Sequence, residues 1–321
     1  MSLIVKLPSD HSNKIIFDWL SFTCYYTPHE VIDRLGLGQL QFKVVPGVKG
    51  FRNRLYFDGI SIHYDYGRGG DQYKGLIWIE MSGQGCRVFE SFSECSDFES
   101  ILFWCLSDES LNLTRLDVAY DDMQDQILDM STLVRDTLDG FFVFRGQYYE
   151  VTQSSIGSSI VFGSPQSDFR CRIYDKSAER HCDSSFHWVR VELQLRRDRA
   201  TEFVRIMSEL NFGEVFCGVL HHYLWFAKRT KDTNKSRWVM AEYWMRFIGN
   251  ASKISLYVKP GVEYNLDRCK DYVYNMAGNA VDCLIKILGY EQFVDELNHR
   301  RIKSNKKYDD LVWEHGGFID L

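Results

Sequence analysis

The chain has 321 residues, 45% of them hydrophobic, and a net charge of -6. That is enough apolar content for one large domain or two smaller ones, and the acidic balance argues against a general nucleic-acid binder. The start, "MSLIVKLPSDHSNK", has no continuous apolar stretch, and no run approaches the roughly 18 apolar residues of a membrane helix. The nine cysteines form no CxxC pair, which speaks against zinc and against a disulfide framework. Reduced thiols in a cytoplasm are the expectation.

The predicted elements alternate between strands and short helices. "IIFDWLSFTCYY" opens as a strand of alternating apolar and aromatic residues. "TPHEVIDRLGL" reads as a helix capped by Thr27, with Pro28 in its first turn and glycine after it. "RLYFDGISIHYDYG" predicts a hairpin turning at Asp58-Gly59. "GLIWIEMSGQGCRVFE" reads as a strand running into a glycine-rich turn, with Arg87 available to backbone phosphates. "DFESILFWCLSD" has helical spacing, "LTRLDVAYDD" strand spacing, and "DMSTLVRDTLDG" is a helix closed by glycine. "SSIVFGS", "DFRCRIYDKS" and "HWVRVELQLRR" are three further strands. From about residue 199 the spacing is mainly helical, through "EVFCGVLHHYLWFAKR", "RWVMAEYWMRFIG" and "LDRCKDYVYNMAGNAVDCLIKILG". The polar segment "TKDTNKS" places a boundary near 230. The predicted architecture is α+β: a curved, mostly antiparallel sheet with flanking helices over 1–230, then a mainly helical part over 231–321.

Charges are unevenly distributed. Residues 90–139 are rich in Asp and Glu, with Arg115 and Arg135 their only cations, whereas 170–205 is rich in Arg and "HRRIKSNKK" is a basic run. Strand periodicity puts Arg115, Asp117 and Asp121 on one face, Arg190, Glu192, Gln194 and Arg196 on another, and Glu80 with Trp78 on a third. Carboxylates gathered on one surface repel and raise each other's pKa unless a cation lies among them. Hard oxygen donors suit magnesium or manganese. In "RCRIYDKSAER" the same periodicity aligns Arg172, Tyr174 and Lys176. Cations beside a phenol stabilise phenolate and also grip a phosphodiester. Such a set describes attack of a tyrosine on a DNA phosphate, leaving a 5′-phosphotyrosine and a free 3′-hydroxyl. The spacing alone equally describes a packed strand tyrosine between two surface cations, and both readings stand at this point. "GLGQLQ" and "MSGQGCR" are too short and wrongly placed for a phosphate loop, and His221-His222 lies in an apolar helical context that favours packing over metal binding.

Six segments in order, "DWLSFT", "EMSGQGCR", "TRLDVAYDD", "FGS", "RIYDK" and "WVRVELQLRRDRA", resemble the Rep_trans group of rolling-circle replication initiators of plasmids and phages, with the related MobT-type relaxases. The resemblance covers about residues 15–205. It implies a metal-dependent endonuclease and strand transferase that nicks one strand of an origin, with an inverted repeat or hairpin as its DNA. It also implies a homodimer that works with a host helicase and polymerase. The family tyrosine maps to Tyr174, flanked by Arg172 and Lys176, and the acidic ligands of magnesium or manganese map to Asp117 and Glu192. Glu80 and Asp121 as further ligands, and Arg190 as a catalytic cation, are assigned to the same site. Plasmid relatives often carry Asn where this chain has Asp175. Two other functions fit the resemblance: a MobT-like relaxase acting at an origin of transfer, and an origin-binding regulator that does not cut. "TKDTNKSRW" and "HRRIKSNKK" fit phosphate contacts and equally fit a solvated loop and tail.

Overall fold

The computed structural model describes residues 13–67, 74–94, 96–123, 125–182, 186–228, 230, 232–249, 256, 270 and 278–299. Its strands are β1 (Lys14–Cys24), β2 (Lys43–Pro46), β3 (Phe51–Phe57), β4 (Ile60–Tyr66), β5 (Ile77–Met81), β6 (Asn112–Asp122), β7 (Phe142–Phe144), β8 (Tyr149–Ser154), β9 (Gly157–Phe162), β10 (Phe169–Asp175), β11 (Val189–Arg196), β12 (Leu224–Lys228) and β13 (Val239–Met240). The helices are α1 (Pro28–Arg34), α2 (Gly83–Phe92), α3 (Phe98–Ser107), α4 (Met130–Leu138), α5 (Lys176–Glu179), α6 (Asp198–Met207), α7 (Phe212–Tyr223) and α8 (Glu242–Ile248), followed by Gly278–Leu288 and Tyr290–His299.

Ten strands form one open sheet in the order β2-β3-β4-β5-β1-β6-β11-β10-β9-β8, and β13-β12-β7 form a smaller one. Every described pairing is antiparallel. One face of the large sheet is apolar: Leu20, Phe22, Ile79, Leu116, Val118, Val191, Leu193 and Ile173 are all buried. Val88, Phe89, Ile101, Leu102, Phe203 and Phe216 from the helices join these residues in one core. Alternation along each central strand therefore sends the charged residues to the opposite face, as a half-buried antiparallel sheet requires.

Local signals act as expected at several points. Thr27 and Glu30 form a complete capping box on α1, with Pro28 in the first turn. Asp58 and Gly59 both take positive φ, 32° and 90°, and join β3 to β4 in a two-residue turn. Elsewhere the structure departs from the sequence reading. The "GQG" stretch is not a turn but the start of α2, capped by Ser82. Its glycines permit close packing: a Cβ on Gly85 would lie 2.3 Å from the Gly59 carbonyl oxygen, and one on Gly83 2.9 Å from Asp18 Oδ1. Arg87, expected near phosphate, donates to the Phe17 carbonyl at 2.6 Å and to Glu90 at 2.8 Å.

The region after 199 is also less helical than its spacing implies. α7 stops at Tyr223, and Leu224–Lys228 continues as β12, paired with β7 and β13. A short apolar run satisfies either period, and pairing with Phe142–Phe144 decides it. The chain forms two compact units, Met1–Val258 and Lys259–Leu321. Strand β13 and helix α8 thus belong to the first unit rather than beyond a boundary near 230, and Trp244 of α8 packs on Phe226 of β12 with ring centroids 4.9 Å apart. Among the described residues every cysteine is a free thiol, and no helix is long and apolar enough to cross a membrane.

One buried titratable group gives a stability test. His63 on β4 is fully buried and stacks on Trp78 at 4.4 Å. Burial first, then Arg54 and Lys49, pushes its pKa down from 6.5 to about 4. The unfolded chain therefore binds a proton that the folded chain refuses between those values, and stability falls as pH drops through this window. In urea titrations across that range His63→Phe is expected to flatten the pH dependence; an unchanged slope would assign the acid sensitivity elsewhere.

Candidate active site

The polar face is built by three adjacent strands. On β10 and β11, Arg170 lies opposite Gln194, Arg172 opposite Glu192, and Tyr174 opposite Arg190. On β11 and β6, Arg190 lies opposite Asp121, Glu192 opposite Ala119, Gln194 opposite Asp117, and Arg196 opposite Arg115. Residues separated by about seventy positions in the chain thus become nearest neighbours, which periodicity within one strand cannot reveal.

Tyr174 is only 3% exposed, yet it is not lost in the apolar core. Its hydroxyl donates to Glu192 Oε2 at 3.3 Å and accepts from Lys176 Nζ at 3.3 Å. The Arg172 guanidinium sits 3.9 Å from the ring centroid. The ring helps line an open groove of about 330 Å³, together with Ser159, Arg172, Asp175 and Glu179. Burial and the Glu192 charge push the phenol well above its ordinary value of 10, so the resting side chain is neutral. Lys176 is buried, pairs with Glu179, and has its pKa lowered by burial and by Arg190. Asp175 caps α5 by accepting from the Ala178 amide at 3.0 Å. Asn caps a helix as well as Asp does, so an Asn in its place leaves this geometry intact.

The acidic residues divide into two sets. Asp121 binds Arg190 in a bidentate fork, at 2.6 Å and 2.7 Å. Arg190 reaches Asp18 with its remaining nitrogen at 2.8 Å. Arg190 and Asp121 therefore neutralise each other and stand as positioning groups beside Tyr174. Asp117 and Glu192 form the second set. Asp117 is also held in a bidentate fork, by Arg115 Nε at 2.9 Å and Nη2 at 2.5 Å. Burial, then repulsion from Asp117 and Asp18, raises the Glu192 pKa from 4.5 to about 7, and burial raises that of Asp117. Glu80 lies apart. It is opposite Ser21 of β1, three strands from Glu192, or about 14 Å across the sheet at the usual strand spacing, and in register with Arg196, four residues further along β11. Its charged neighbours are Lys49, Arg115 and Arg54. Of the four carboxylates expected at one centre, Asp117 and Asp121 are each forked by an arginine, Glu80 lies apart, and Glu192 feels the charge of Asp117. Among the described residues no three His, Cys, Asp or Glu side chains are spaced to hold a metal ion.

Sequence reasoning missed Asp18. Counting back from the buried Leu20, Phe22 and Cys24 puts it on the core face, where a lone carboxylate is untenable. The register of β1 against β6 shifts between Phe17 and Trp19, and this bulge removes the conflict. Arg87 holds the Phe17 carbonyl beside it. A charged residue at a core-parity position in "IIFDWLSF" was the available signal. His221 and His222 close α7 and take no part in the polar face. Of the two candidate phosphate contacts outside the sheet, "HRRIKSNKK" lies outside the described residues after His299. In "TKDTNKSRW", Lys235 donates to the Gly140 carbonyl at 2.9 Å and Arg237 approaches Asp232 at 3.5 Å.

Fold and site together define an α+β protein whose open antiparallel sheet presents a phenol among cations and paired carboxylates. The replication initiation factor family, Rep_trans, matches residues 111–300, more than half of the chain, and the chain belongs to this family. It is 27% identical over 234 residues to the inferred DNA relaxase NicK of Bacillus subtilis (strain 168), covering 68% of this chain and 65% of the relative's length. It also superposes on a rolling circle replication initiator protein from Geobacillus stearothermophilus with a TM-score of 0.67 and 30% identity, covering 77% of this chain and all of that one.

Proposed function

We propose that the protein nicks one strand of origin DNA by transesterification at Tyr174 and so primes rolling-circle replication. The observation that carries this reading is the Tyr174 hydroxyl held between Glu192 and Lys176, on a residue that with Arg172 helps line an open groove. Tyr174 Oη attacks the phosphorus and its proton passes to Glu192 Oε2, already its hydrogen-bond acceptor. The bond from phosphorus to the 3′ oxygen breaks, and that oxygen leaves with the electron pair and takes a proton from solvent. The products are a 5′-phosphotyrosine and a 3′-hydroxyl, and the reverse reaction reseals the strand. Arg172 and Lys176 offset the negative charge that gathers at the phosphate. Arg190, locked by Asp121 and Asp18, keeps this part of the face rigid.

Asp117 and Glu192 are the residues that would hold magnesium or manganese, which would require Asp117 to release an oxygen from Arg115 and would leave Glu192 Oε2 for the phenolic proton. Two carboxylates with substrate phosphate and water are the usual magnesium set, and their mutual repulsion favours a cation. A bound ion there would polarise the phosphoryl oxygens and offset charge on the leaving oxygen. Action in a bacterial cytoplasm, as a homodimer with host helicase and polymerase, completes the proposal by analogy with the family. The test is incubation with supercoiled plasmid bearing the parent element's origin. Relaxed circles whose 5′ ends stay protein-linked after boiling in detergent are the expected product. Specific binding with no cleavage under any divalent metal would instead make the chain an origin-binding regulator.

A further inference from the structure

The face that carries Tyr174 changes character along its strands. Beyond Glu192 and Asp117 it becomes basic, and three arginines converge there. Arg196 lies directly opposite Arg115 across the β11–β6 pair, an arrangement that destabilises a sheet when nothing intervenes. Arg170, one strand further, completes the group. Arg170 Nη1 and Arg196 Nη2 donate to the same neutral acceptor, Gln194 Oε1, at 3.2 Å and 3.1 Å. Arg115 is the one member with a carboxylate of its own, Asp117. Among the described residues neither Arg170 nor Arg196 pairs with an acid. Burial and the charges of Arg115 and Arg170 lower the Arg196 pKa, and the more weakly acting Asp117 and Asp168 offset this only in part.

The cluster is held in place by backbone. Arg170 Nε donates to the Gly163 carbonyl at 3.3 Å, and Arg196 to the Pro165 carbonyl. Gly163 has a φ of 101°, and a Cβ there would lie 3.1 Å from Arg170 Cγ and 2.6 Å from the Phe169 carbonyl oxygen. The glycine of "FGS" thus makes room for Arg170. Arg115 is fixed from its other side by stacking on Trp19 at 4.1 Å. Planar forks with fixed orientation and excess positive charge suit a phosphate oxyanion.

We infer that Arg170 and Arg196 form a phosphate subsite, beside the Arg115–Asp117 pair, that grips the single strand next to the nick. The inference rests on the nicking proposal for its substrate and names a binding element of that site. Arg170 stands four residues from Tyr174 on the same strand face, about 13 Å away. At the 3.4 Å rise of a stacked strand this places the gripped phosphate within about four nucleotides of the scissile one. Such a grip would set which phosphate reaches Tyr174.

The experiment measures binding of a fluorescein-labelled thymidine oligonucleotide to Tyr174→Phe protein as a function of salt, so that binding is scored without cleavage. Arg170→Gln with Arg196→Gln is expected to weaken binding and to reduce the slope of log K against log salt by about 1.4, two single-strand phosphate contacts at ~0.7 each. The corresponding double lysine variant is expected to retain the slope. Arg170→Gln alone, expected to lose about 0.7, decides the matter where the double variant does not fold. An unchanged slope in the folded glutamine variants overturns the subsite, as does absence of oligonucleotide binding. Inorganic phosphate is expected to compete better than chloride at equal ionic strength, because the guanidinium donors suit an oxyanion; tighter binding of inorganic phosphate than of the oligonucleotide overturns the inference in favour of a free-anion site. A slope change together with no tyrosine adduct in the parent protein would leave the subsite standing and sink the nicking proposal alone.

Discussion

Replacing Tyr174 with Phe is expected to abolish the detergent-stable protein–DNA adduct while leaving DNA binding intact. The substitution removes one oxygen from a side chain whose ring is held by Arg172 at 3.9 Å and whose hydroxyl bridges Glu192 and Lys176. The ring packing survives, so loss of folding is not the expected cause. Without Oη no phosphotyrosine bond can form at this position. Glu192→Gln keeps the shape and the hydrogen bond but cannot take the phenolic proton. A loss of about 10²–10⁴ in nicking rate is expected for it, the usual range for removing a general base. Nicked circles from Tyr174→Phe protein with no covalent 5′ end would show that water, not tyrosine, is the nucleophile.

Arg190→Ala is expected to be the most destabilising single change near the site. Arg190 is 4% exposed and joins two carboxylates, Asp121 and Asp18. Removing one partner of a buried ion pair leaves an uncompensated charge and costs about 3–5 kcal/mol. Here two acids would face each other, which puts the expectation at the upper end. Adding Asp121→Asn to Arg190→Ala removes one of the stranded charges and is expected to recover part of the loss. Chemical denaturation midpoints of the single and double variants measure this coupling. Equal stability of the two would mean that Asp121 and Arg190 are not coupled and that the rigidity of this corner has another source.

Much of the site was legible because strand periodicity is strict. A period of two places Arg172 with Tyr174, and Arg190 with Glu192 and Gln194, whatever the neighbouring strands do. Lys176 joined them from the first turn of α5 rather than from the strand. What periodicity within a strand cannot state is which strands are adjacent. Glu80 and Glu192 looked equivalent as strand carboxylates, yet β1 and β6 lie between them. Asp121 and Asp117 looked like free ligands, and the two oxygens of each proved to be engaged by an arginine, Arg190 and Arg115. Asp18 was hidden because a bulge reverses the parity of β1, and bulges follow from a partner strand's register rather than from local propensity.

The same division runs through the fold. Caps, hairpin turns and alternating faces are local: Thr27 needs only Glu30, and Asp58-Gly59 needs only the two strands it joins. These the amino-acid order determined by itself, because the interactions that set them span a few residues. The glycines of "EMSGQGCR", the switch from α7 to β12 at Leu224, and the pairing of Arg190 with Asp121 were decided only when distant segments met. Gly85 is glycine because the Gly59 backbone arrives there, and Leu224–Lys228 is a strand because Phe142–Phe144 offers it an edge. Close packing and hydrogen-bond pairing between remote segments settle such choices, and no local pattern encodes who the partner is.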